Sequence, residues 1–206
     1  MSAVKKIAII STSTRTPRVG PSIAAWVHDV LQNRPDQNND IDKSLELRVV
    51  SVADFNLPVF DEPVLPATVP EKASFTHEHS KRWSAEIAQY AGYIFVIPEY
   101  NYGLAGATKN AIDYLYHEWI GKPVMVISYG VQGGKRASQQ LSETLELMKL
   151  KVVPTRPQLA FKGGLGPDAY AAMNEGKLGE ETKTEWTTGE IKEKVLQGFK
   201  ELKELL

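Results

Sequence analysis

From Tyr93 to Asp113 the chain reads Tyr-Ile-Phe-Val-Ile-Pro-Glu-Tyr-Asn-Tyr-Gly-Leu-Ala-Gly-Ala-Thr-Lys-Asn-Ala-Ile-Asp, and this stretch narrows the possible folds more than any other. Tyr93 to Ile97 is an unbroken run of β-branched and aromatic residues, the pattern of a central parallel strand covered on both faces. Pro98 ends it. Glu99 to Gly103 then form a loop, and from about Gly106 the chain turns helical with Ala107, Ala111, Tyr114 and Leu115 spaced for one buried face. Small residues at Ala105, Gly106 and Ala107 let backbone N–H groups approach a flat ligand. Taken alone, the stretch also suits any strand-to-helix turn of an α/β protein.

The same unit recurs along the chain. Val4 to Ile10 is a first buried strand, followed by the hydroxyl-rich loop Ser11 to Ser22 and a helix from Pro21 with Ile23, Val27, Val30 and Leu31 as its stripe. A strand, a Ser/Thr loop and a helix N-terminus make an anion-binding arrangement, which Arg15 reinforces. Neither Gly-x-Gly-x-x-Gly nor the nucleotide P-loop pattern is present. Leu45 to Val52 suits a second strand. Val124 to Ile127 is a fourth buried strand, ending in Ser128-Tyr129-Gly130-Val131-Gln132-Gly133-Gly134. Lys135 to Leu150 reads as a helix, and Lys151 to Val153 as a fifth strand that Pro154 and Pro157 confine to an edge or interrupt. Ligands of open parallel sheets bind at the carboxyl ends of the strands, so three such loops can converge on one crevice. The expected fold is one α/β domain over residues 1–206, a five-stranded parallel sheet in order 2-1-3-4-5 with helices on both faces.

The rest is less regular. Residues 34–44 read as a polar surface excursion. Ala53 to Glu71, with Pro58, Pro63, Pro66 and Pro70, is expected to be an extended loop without regular structure. A helix follows from about Phe75 to Ala91. His77 and His79 near its start are two apart, a spacing that does not bring helical side chains together, so a solvated helix end is expected and no metal site. Phe161 to Thr182 reads as glycine-rich loop, and Lys183 to Leu206 as a single charged helix.

With 206 residues, 42% hydrophobic and 24% charged, the chain suits a single core. A formal net charge of -1 offers no global field to draw it to nucleic acid or to an anionic membrane. Cysteine is absent, which excludes disulfides and thiol chemistry. No segment is long and apolar enough to span a bilayer, and Ile7 to Ile10 is too short for a signal core. A cytoplasmic location is the default expectation.

Pro98-Glu99-Tyr100-Asn101, then Gly106, then Lys109-Asn110-Ala111-Ile112-Asp113 resembles the flavin-loop signature of the NAD(P)H-dependent FMN reductase family, closest to its quinone reductase and azoreductase branch. Ser13-x-Arg15 with Arg18-Val19-Gly20 resembles that family's FMN-phosphate loop. Thr12 stands where glycine is usual, Gly103 where serine is common, Ala105 where proline is common and Thr108 where leucine or methionine is common. The resemblance implies a flavodoxin-like fold, FMN as cofactor and NAD(P)H as co-substrate. It places Ser13, Arg15, Arg18 and Gly20 on the phosphate, and Pro98, Glu99, Tyr100, Asn101, Tyr102, Ser128, Tyr129, Gly130, Gly133 and Gly134 around the ring. It implies two-electron reduction of a quinone or a similar flat acceptor, the flavin carrying the chemistry without a protein acid or base. It also implies a homodimer, with which the many rings at Tyr114, Tyr116, His117 and Trp119 agree. A flavodoxin-type electron carrier, a source of free reduced flavin and a redox-sensing interaction protein stand as alternatives. The near-neutral charge speaks against the carrier.

Overall fold

The computed structural model describes residues 4–35, 44–71 and 74–206; the middle of the polar excursion expected at 34–44 lies outside them. Among the described residues seven strands form the sheet: β1 (Lys5–Ser11), β2 (Leu45–Ser51), β3 (Gly92–Tyr100), β4 (Gly103–Leu104), β5 (Pro123–Gly130), β6 (Lys151–Val152) and β7 (Gln158–Ala160). The main path runs β2-β1-β3-β5-β6, all parallel, the flavodoxin-like order 2-1-3-4-5. Two details differ from expectation. Pro154 and Pro157 break the fifth strand, and its second half returns as β7 beside the far end of β5. The loop after β3 folds back on itself, with β4 antiparallel to the end of β3.

Central strands β3 and β5 are buried from Gly92 to Pro98 and from Pro123 to Tyr129 because helices cover both faces, and they open only at their carboxyl ends. On one side lie α1 (Gly20–Gln32), α5 (Pro167–Asn174), α6 (Glu180–Thr188) and α7 (Glu190–Glu204), packed on Ile7, Ile9, Ile94, Val96, Met125 and Ile127. On the other lie α2 (Glu78–Ala88), α3 (Gly106–Asp113) and α4 (Lys135–Leu147), packed on Ala8, Ile10, Tyr93, Phe95 and Val126. Tyr114 and Trp119 are fully buried, Trp119 against Tyr93, Phe95 and Trp83. Those two rings are used inside the chain, whereas Tyr116 is half-buried and His117 exposed.

The C-terminal quarter is more helical than its composition suggests. Residues 161–182, read as loop, contain α5 and the start of α6. The single expected helix after Lys183 is two, divided at Gly189. A Cβ at Gly189 would stand 2.7 Å from the carbonyl oxygen of Glu185, so this break accommodates only glycine comfortably. The proline-rich connection after β2 holds two short 3-10 turns, Val52–Phe55 and Pro66–Thr68. It is pinned to α2 by Glu62, whose carboxylate accepts the backbone N–H of Thr76 (2.8 Å) and of His77 (2.9 Å).

Candidate functional site

Strands β1, β3 and β5 end side by side, and their loops enclose one cleft. Its walls come from Arg15, Arg18 and Val19 of the first loop, Pro98, Glu99 and Tyr100 of the second, and Tyr129, Gly130 and Val131 of the third. Phe161, Ala172 and Met173, which nothing in the sequence had marked, complete it. The cleft holds about 120 Å³, less than the roughly 300 Å³ at which cofactor pockets begin. It can take a phosphate or one ring, and a larger group must also lie along its open side.

At the first loop no side chain caps α1, whose N-cap is Val19. Orphan N–H groups and the positive end of the helix dipole therefore face this end of the cleft. Gly20 opens the helix, and a Cβ there would stand 2.1 Å from Ser13 Oγ, 2.8 Å from Ser11 Oγ and 2.9 Å from the Tyr129 hydroxyl. Ser11 Oγ, Ser13 Oγ and Arg18 Nε are buried and have no hydrogen-bond partner among the described residues. Buried polar atoms cost free energy when unpaired. These three donors and the Tyr129 hydroxyl, converging at a helix N-terminus, fit an anion such as a phosphate monoester. Burial pushes the Tyr129 phenol's pKa up, against the opposite pull of Ser13, Arg15 and Arg18, so its O–H remains a donor at neutral pH.

Arg15 is placed differently. Its Nη1 donates to the carbonyl oxygens of Pro17 (2.5 Å) and Met173 (2.8 Å), and Nη2 to that of Ala172 (3.4 Å). The guanidinium is thus seated on the last turn of α5, where helix carbonyls lack internal partners.

The second loop is braced by α4. Glu99 directs its carboxylate away from the cleft, to the N–H groups of Arg136 (2.8 Å) and Ala137 (3.0 Å), and so caps α4 from another element. Leu104 N donates to Gln140 Oε1 at 2.7 Å, and the Arg136 guanidinium lies 5.6 Å from the Tyr102 ring centre. Asn101 and Tyr102 carry left-handed backbone (φ 49 and 60) at the hairpin tip. Neither lines the cleft; Tyr100 does, 41% exposed at its edge.

The third loop contributes less than expected. Ser128 is buried and spends its hydroxyl on the Gly133 carbonyl (2.7 Å). Gly133 and Gly134 both have left-handed φ, and a Cβ would crowd Gln158 at Gly133 and Ser128 and Tyr129 at Gly134. These glycines serve the turn and its packing, and Gly130 is the loop's glycine at the cleft. Of the fourteen sequence-marked residues, the cleft brings together Arg15, Arg18, Pro98, Glu99, Tyr100, Tyr129 and Gly130, with Ser13 and Gly20 directly behind its phosphate-like end.

Two departures from the family pattern meet. Thr12 Oγ1 lies 2.7 Å from Thr108 Oγ1, both buried, so the hydroxyl at a usual glycine position is satisfied by the hydroxyl at a usual leucine position. A second polar cluster lies apart from the cleft. Asp61 Oδ1 accepts from the Tyr114 hydroxyl (2.8 Å) and sits 2.9 Å from His79 Nε2, with the His77 ring stacked on that of His79. The two histidines do face each other, because His77 is the extended N-cap and helical spacing does not apply to it. Desolvation works to raise the Asp61 pKa, but hydrogen bonds from Tyr114 and His79 outweigh it and hold the carboxyl below its ordinary range.

The sequence profile of the family described as NADPH-dependent FMN reductase matches residues 5–164. An NAD(P)H-dependent FMN reductase of Nectria sp is 57% identical over 202 residues, which span 98% of this chain and 96% of that protein. A quinone reductase of Pseudomonas putida is 28% identical over 190 residues, 89% of each chain. Among solved structures, a flavoenzyme NAD(P)H:(acceptor) oxidoreductase from Paracoccus denitrificans superposes with a TM-score of 0.64 over 98% of both chains. At 21% identity that likeness speaks for the fold.

Proposed function

The chain belongs to the NADPH-dependent FMN reductase family, and from that premise we propose that it is an FMN-dependent NAD(P)H oxidoreductase that reduces quinones or similar flat acceptors by two electrons. One observation carries the reading. The cleft at the strand ends runs from a cluster of unpartnered donors at the N-terminus of α1 to an apolar region edged by Pro98, Tyr100 and Val131. That gradient suits a molecule with a phosphate at one end and a flat ring at the other.

Ser11, Ser13, the Tyr129 hydroxyl, Arg18 and the first turn of α1 would hold the phosphate. Arg15 joins them through the part of its guanidinium that α5 leaves free. Pro98, Glu99 and Tyr100 would border the ring with Tyr129 and Gly130, while Asn101 and Tyr102 stand outside as a rim that an incoming ring meets first. Ser128, Gly133 and Gly134 act one layer back, by shaping the third loop. Bound FMN supplies the chemistry, taking a hydride from the nicotinamide and giving two electrons to the acceptor. The chain's part is to bind, to orient and to keep the apolar end of the cleft dry. A homodimer, on the family resemblance, and a cytoplasmic location, as the default expectation, belong to the same proposal. Light scattering checks the first, a single species of one chain's mass overturning it.

The test is the visible spectrum of protein equilibrated with FMN and freed of excess, followed without oxygen while NADPH and then a benzoquinone are added. A bound flavin spectrum that bleaches with NADPH and returns with quinone is expected. Protein that retains no FMN would overturn the cofactor assignment. Flavin that reduces but is not reoxidised by quinone would overturn the acceptor class.

A further inference from the structure

Three observations converge on the short stretch after α5. The family profile ends at residue 164, so α5 and the turn that follows lie beyond the matched residues. Even so, Ala172 and Met173 line the cleft, and their carbonyl oxygens take the distal edge of the Arg15 guanidinium. Gly176 holds that turn against the first loop. It has φ +69, and a Cβ on it would come within 2.8 Å of the Arg18 carbonyl oxygen and 2.9 Å of the Arg18 nitrogen. Only a residue without a side chain lets the turn seat so closely.

Arginine has five N–H donors in a fixed plane. Both Nη1 hydrogens go to Pro17 and Met173, and Ala172 takes one from Nη2. Nε has no partner among the described residues, so the Nε–Nη2 edge remains, and that edge offers two parallel N–H groups to a phosphate.

We propose that the Ala172–Gly176 turn is a positioning device for Arg15, which locks one edge of the guanidinium so that the other is presented, already ordered, to the phosphate of the flavin. The inference rests on the FMN reading above. Long side chains lose rotamer freedom when they grip a ligand, and a guanidinium already fixed by carbonyls loses less. Coupling is reciprocal, so FMN must in turn hold the turn on the first loop.

The experiment compares FMN with riboflavin, which has the ring and ribityl chain but no phosphate. Binding of each is measured by quenching of flavin fluorescence in wild type, Gly176→Ala, Arg15→Ala and the double variant. Gly176→Ala is expected to weaken FMN about tenfold, the scale of one charge-assisted hydrogen bond, and to leave riboflavin within about twofold. In the Arg15→Ala background its effect on FMN is expected to disappear. Equal weakening of both flavins, or an effect that persists without Arg15, would overturn the proposal and leave the FMN reading standing. A wild type that binds neither flavin would overturn the FMN reading itself. Hydrogen exchange of residues 161–178 in the wild type needs no variant: FMN is expected to slow it and riboflavin not, and no difference between them counts against the device.

Discussion

At the scale of single residues, the site is shaped by where hydroxyls and carbonyls are left over. The Thr12–Thr108 pair shows how one departure from a pattern compels another. Thr12→Val leaves the Thr108 hydroxyl buried without this partner and is expected to cost about 1–3 kcal/mol. Adding Thr108→Val should restore part of that, and urea midpoints of the single and double variants check it. Tyr129→Phe removes a buried donor beside Ser13 and Gly20. It is expected to weaken FMN severalfold, read by fluorescence titration, and an unchanged affinity would remove Tyr129 from the phosphate group. Ser13 was legible in the sequence, since a hydroxyl-rich loop before a helix carries a local signal, and Arg18 through the family resemblance; Tyr129 was marked for the ring, and its hydroxyl lies instead on the Ser13 and Gly20 side. Ala172 and Met173 were not legible. They act through backbone carbonyls, which every residue has, and their approach to Arg15 is a tertiary contact across more than 150 positions.

At the scale of elements, the central strands were legible because a parallel strand covered on both faces must be apolar throughout, as Tyr93 to Ile97 is. Helix α5 was hidden for the opposite reason. Only Ala169 and Ala172 are buried on it, so its inward face is made of alanine, with Gly163, Gly164 and Gly166 just before it and Pro167 as its first residue. Two elements are joined by carboxylates whose loss can be measured. Glu99→Ala uncaps α4 and is expected to cost about 1 kcal/mol in urea unfolding. Glu62 is opposed by desolvation, but the N–H groups of Thr76 and His77, with Ser80, hold its pKa below the ordinary 4.5. A depressed carboxylate stabilises the fold above its ordinary pKa, and that contribution is lost as pH falls through the lower folded value. Glu62→Gln is therefore expected to lower the melting temperature at pH 7 and to flatten its decline below pH 4.5, followed by circular dichroism.

Across the whole molecule, the two cores meet the sheet on opposite faces. The one under α1 depends on Trp186, Val195, Phe199 and Leu202 from the chain's last quarter. Because the first loop is seated on that same quarter through Arg15 and Gly176, cofactor and global stability are linked. FMN at 100 times its dissociation constant is expected to add about 2.7 kcal/mol, which raises the melting temperature of a domain this size by about 5–10 °C. Scanning calorimetry with and without FMN decides it. The bracing of the second loop bears on which acceptors can enter. Glu99 reaches across to the start of α4, Gln140 holds Leu104, and Arg136 rests on Tyr102. The second loop and α4 are thereby bolted together like a fixed jamb, and parting them to admit a wider molecule would break all three ties at once. The wall opposite meets the first loop through the Met173 and Ala172 carbonyls on Arg15 and through Gly176 against the Arg18 backbone. If the doorway widens, it swings from α5, and because α5 also seats Arg15, a change in the tail that admits broader acceptors loosens the hold on the cofactor with it.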